Sequence, residues 1–63
     1  MSRDLEALRR WETSGATWQV LAREVGELDI ALLTCDAGEQ VGQLRSGEAD
    51  VLAYVGDRAR SDD

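Results

Sequence analysis

Apolar residues recur at Leu5, Leu8 and Trp11 and then stop at Ser14-Gly15. This spacing of three to four puts them on one stripe of a helix and predicts α-helix over about residues 3 to 13. Ser2 or Asp4 can cap its start, because either side chain accepts a hydrogen bond from a free backbone N–H. Asp4 and Glu6 suit the positive end of the helix dipole, and Arg9 and Arg10 suit the later turns. Gly15 is placed as the left-handed residue that ends it. From residue 17 to residue 24 the period drops to two, which predicts a strand. In that strand Trp18, Val20 and Ala22 face one way, and Thr17, Gln19, Leu21 and Arg23 the other.

Val25-Gly26-Glu27 reads as a turn, and residues 28 to 35 as a second strand. Leu28, Ile30 and Leu32 share one face of it; Ala31, Leu33 and Cys35 share the other. A strand apolar on both faces reads as the central one. Asp36-Ala37-Gly38 predicts a three-residue hairpin loop with glycine in the left-handed position. A third strand follows over about 39 to 45, where Gly42 invites a bulge or a close approach by other atoms. Ser46 offers a second helix cap, Val51, Leu52 and Val55 make a narrow apolar stripe, and Gly56 closes that helix. The fold expected is α+β: helix, three-stranded antiparallel meander, helix (αβββα). Residues 1–56 form a single small domain, and 57–63, charged and without an apolar anchor, read as a flexible tail.

The expected core is Leu5, Leu8, Trp11, Trp18, Val20, Leu28, Ile30, Leu32, Val41, Leu44, Val51, Leu52 and Val55. Two arrangements of the helices are open. If both cover the Trp18–Ile30 face, then Leu21, Ala31 and Leu33 form an apolar patch on the opposite side, and such patches mark interfaces. If one helix covers each face, nothing is left over.

Composition narrows the function classes. A chain of 63 residues allows one domain with little surface to bury. A single cysteine and no histidine exclude an internal disulfide and disfavour a structural zinc site. Thirteen acids against seven arginines give a net charge of −6, which argues against binding to nucleic acid or to an anionic membrane. No apolar run is long enough to span a bilayer, and Met1-Ser2-Arg3-Asp4 lacks the apolar stretch of a signal peptide. The lone Cys35 fits a reducing cytoplasm.

No catalytic, cofactor or metal site is expected. Cys35 has no histidine to activate it, and its bland reading is a quiet residue at a strand end. Asp36 and Glu39 flank the loop, yet calcium needs six or more oxygens; an aspartate there more simply closes the turn. Trp11 and Trp18 suit stacking on a ligand, but their spacing puts them on core faces. Arg9, Arg10, Arg23 and Arg45 read as a solvated surface, and the glycines follow no phosphate-loop spacing.

The run Leu5-Glu6-Ala7-Leu8, Trp11-Glu12, Ser14-Gly15-Ala16, Trp18, Val20-Leu21, then Leu32-Leu33-Thr34-Cys35-Asp36-Ala37-Gly38-Glu39 and Val41 resembles short uncharacterised proteins of high-GC Gram-positive (actinobacterial) bacteria. It spans roughly residues 4 to 56. The resemblance implies a small stand-alone cytoplasmic protein and carries over no active site.

These features favour a non-enzymatic protein that works by protein–protein contact, as a homodimer or an accessory subunit, through Leu21, Ala31 and Leu33. An exposed edge strand is the other surface available for contact. The alternative is an acidic mimic of nucleic acid that occupies a nucleic-acid-binding protein. That reading needs the acids gathered on one face, whereas they are spread along the chain.

Overall fold

Five elements follow one another: α1 (Arg3–Thr13), β1 (Thr17–Glu24), β2 (Glu27–Leu33), β3 (Gln40–Ser46) and α2 (Ala49–Val55). They are seen in a computed structural model that describes every residue except Ala37, so the middle of the expected Asp36-Ala37-Gly38 loop lies outside the described residues. The strands form one antiparallel sheet in the order β1-β2-β3. The αβββα fold is therefore the one the hydrophobic pattern predicts.

The first helix begins where a side chain satisfies its free donors: the Leu5 N–H donates to Ser2 Oγ at 3.1 Å. It ends before Gly15, whose φ of +94° falls in the region that favours glycine. The second helix departs from expectation at its start. Ser46 is the last residue of β3 and not the cap, which is Glu48, without a side-chain capping bond. Ser46 Oγ nevertheless accepts from the Glu48 N–H at 3.2 Å and donates to Asp4 Oδ2 at 2.8 Å. Its buried hydroxyl is thus satisfied by joining the two helix starts.

Both helices lie on the same face of the sheet. Leu5 and Leu8 of α1 and Val51 and Val55 of α2 pack with Trp18, Leu28 and Ile30, with Val20, Leu32, Leu44, Leu52 and Tyr54 around them. Trp11 is only half-buried, and its indole N–H donates to the Thr17 carbonyl at 2.6 Å. Val41, expected in the core, is 56% exposed.

The reason is a break in register. The β2–β3 pairing shifts between Leu32 and Leu33, so that Gly42 faces Leu32, Gln40 faces Leu33 and Val41 has no partner. A second break follows Val20 in β1 and leaves Leu21 unpaired; Ala22 then faces Asp29, and Arg23 faces Leu28. The expected alternation therefore holds only up to the bulge. Beyond it Arg23 shares the helix side, where its guanidinium donates to the Gly56 and Arg58 carbonyls at 2.9 and 2.6 Å. The second strand is also shorter than expected: it ends at Leu33, and Cys35 lies exposed beyond it.

Candidate functional site

With both helices on one side, the opposite face of the sheet has no helical cover. Its rows follow from the pairing: Thr17, Leu33 and Gln40; then Gln19, Ala31 and Gln43; then Ala22, Asp29 and Arg45. Leu33 is half-buried and Leu21, at the rim of β1, is 50% exposed. Ala31 keeps only 1% of its surface. Of the three expected contact residues, then, Leu21 and Leu33 offer area to a partner, while Ala31 is a covered floor between Gln19 and Gln43. Sequence reasoning missed Val41, which its bulge places at the exposed rim of β3. The only signal for it was the neighbouring Gly42, which sets no Cβ against the Leu32 side chain; an added Cβ there would lie 3.4 Å from Leu32 Cδ1.

A depression of about 290 Å³ opens at the Leu33 end of this face, with Thr17, Gln19, Gly38, Arg60 and Asp62 in its wall. At the opposite end, Arg45 stands among three carboxylates: Nε lies 2.8 Å from Glu27 Oε1 and 3.5 Å from Asp29 Oδ1, and Nη2 lies 3.6 Å from Glu24 Oε2. The hydrogen bond that Arg45 donates to Glu27, followed by the nearby charges, raises the Arg45 pKa. Asp29 Oδ1 is buried and accepts no hydrogen bond, so Arg45 balances it by charge alone.

The two edges of the sheet differ. Along β1 the last residues of the chain lie alongside: the Val20 N–H donates to the Ala59 carbonyl at 2.7 Å and the Ser61 N–H to the Trp18 carbonyl at 3.0 Å, with Gln19 bridged to Arg60. The segment 57–63, expected to lack an anchor, thus has one, made of backbone groups. Arg58 fastens it further. Its guanidinium lies 5.1 Å from the centres of both the Trp18 and Tyr54 rings and donates to the Tyr54 carbonyl at 2.7 Å. Beneath it, one Glu12 oxygen accepts from both the Trp18 indole N–H and the Tyr54 hydroxyl. Burial, then the Glu12 bond, push the Tyr54 phenol pKa up. Along β3, by contrast, no described segment pairs with the outer edge.

For chemistry the arrangement offers little. Among the described residues no group of His, Cys, Asp or Glu is placed to hold a metal ion, and no helix is long and apolar enough to cross a membrane. The acids Asp36 and Glu39 flank a loop closed by Thr34, whose Oγ1 accepts from the Glu39 N–H at 3.1 Å. Compared with family models, with curated proteins and with solved structures, the chain matches none of them.

Proposed function

We propose that this protein is a non-enzymatic contact module whose working surface is the open sheet face around Leu33, with Leu21 and Val41 at its rims. One observation carries the reading: both helices pack on the Trp18–Ile30 side, which leaves the other side without cover. A sheet face that keeps apolar side chains in water gains by burying them against a partner, at about 25 cal/mol per Å². The chain has no histidine, and Cys35 lies exposed beyond β2 beside the acid Asp36 and with no imidazole to activate it, which disfavours nucleophilic catalysis. An exposed unpaired thiol also goes with a reducing compartment such as the cytoplasm.

The partner is another polypeptide, because the face is too acidic on balance for nucleic acid: Glu24, Glu27 and Asp29 outnumber Arg45 there. Leu33→Asp places a charge on the middle strand of this face, beside the depression at its end. Proteins retained from native extract by the wild type are expected to be released by Leu33→Asp when that variant keeps its circular dichroism. Equal retention by a folded Leu33→Asp protein sinks the reading.

A further inference from the structure

We propose that β3 pairs edge to edge with β3 of a second copy, about a twofold axis at Leu44, to join two sheets into one of six strands. The proposal rests on the contact reading above and names the surface by which the protein meets itself.

The hydrogen-bond parity of the sheet shows which groups are free. Trp18 and Val20 turn their backbone groups outward to the C-terminal segment, so Gln19 bonds inward to its partner Ala31. Alternation then directs Ile30 toward Leu44 and Leu32 toward Gly42. Gln43 and Arg45 are left with N–H and C=O groups aimed away from the sheet. These are the groups that template another strand. The β1 edge is already taken over Trp18–Val20, where residues 59–61 lie alongside it, and the Arg23 side chain bonds to the Gly56 and Arg58 carbonyls at its other end.

Three features point to a second copy as the occupant. In a chain of net charge −6, β3 itself carries no carboxylate and only Arg45 as a charge. The Arg45 guanidinium offsets part of the charge of Glu24, Glu27 and Asp29 beside it, so the strands themselves meet without acid facing acid. Pairing about Leu44 sets Gln43 opposite the partner's Arg45, never arginine against arginine. It also sets Leu44, half-buried at the margin of the core, against the partner's Leu44 in the closer, non-hydrogen-bonded position. The Val41 bulge confines pairing to residues 42–46, which is enough for about four backbone hydrogen bonds.

Area supplies the third argument. Three strands of about seven residues, each residue about 3.3 Å long and strands about 4.8 Å apart, give an open face of roughly 300 Å². A stable interface takes about 800 Å² from each partner. Edge pairing keeps both helix layers on one side and doubles the open face to roughly 600 Å².

The experiment is the solution mass of the whole protein from micromolar to millimolar concentration, with amide exchange followed over the same range. The wild type is expected to dimerise with rising concentration, and the Gln43 and Arg45 amides to exchange more slowly as it does. Gln43→Pro removes an outward N–H, a place where an edge strand tolerates proline. It is expected to raise the dissociation constant at least about tenfold, whereas Leu33→Asp dimerises like the wild type. A dimer lost in Leu33→Asp and kept in Gln43→Pro overturns edge pairing and leaves the open face as the self-contact. A wild type monomeric throughout also overturns it, without touching the capture result that judges the open face. If Gln43→Pro fails to fold, the wild-type amides decide: concentration-dependent protection at Gln43 and Arg45 supports the pairing, and flat protection overturns it.

Discussion

Single residues set the joints of this fold. Asp50 ties the two helix starts together: its carboxylate accepts from the Ser2 N–H at 2.7 Å and from the Ser2 hydroxyl at 2.8 Å. The backbone bond, then the hydroxyl bond, hold its pKa below the ordinary value. A carboxylate depressed in the folded state contributes stability above its unfolded pKa of about 3.9 and loses it as pH falls through the folded value. Asp50→Asn should therefore melt lower than wild type at neutral pH, and the gap should close as pH drops below about 4. A gap in thermal midpoint that ignores pH would refute the assignment. Gly47 is a joint of another kind. A Cβ there would stand 2.8 Å from the Gly26 carbonyl oxygen, where the β3–α2 link passes the β1–β2 turn. Gly47→Ala should cost about 1–3 kcal/mol in urea unfolding, since backbone has to shift to admit the methyl group.

At the scale of elements, α1 was legible because capping and termination are local: Ser2 and Gly15 act within a turn of the residues they serve. The assignment of Val41 to the core and of Arg23 to the far face failed because a bulge is set by pairing with a distant strand. Leu21 carries no local mark of it, and Val41 has only the neighbouring Gly42. The same limit hid the C-terminal segment. Residues 59–61 are held by backbone groups, which every sequence possesses, and only Arg58 adds a side chain with a specific seat, against Trp18 and Tyr54. Arg58→Ala should cost about 1 kcal/mol, shift Trp18 emission toward that of a wetter indole and speed exchange of the Val20 amide. Unchanged Val20 exchange in that variant would mean that the strap holds without its arginine.

For the whole molecule, the candidate surface was readable only as a conditional. The two-sided apolar pattern of β2 says that Ala31 and Leu33 lie opposite Ile30, but periodicity does not place a helix on a face, and that step needed the packing of Leu5, Leu8, Val51 and Val55. The accessible surface of 4087 Å² is close to the roughly 4,000 Å² expected of a closed monomer of this mass. The proposed association would therefore add to a fold that is already closed, and copies separated by dilution should stay folded. Cys35 gives a practical handle on this. As the sole thiol, exposed and outside residues 42–46, it can take a spin label or a fluorophore at a defined place on each protomer. The spacing between two such probes would then map how the copies are arranged, without altering a single residue of the sheet.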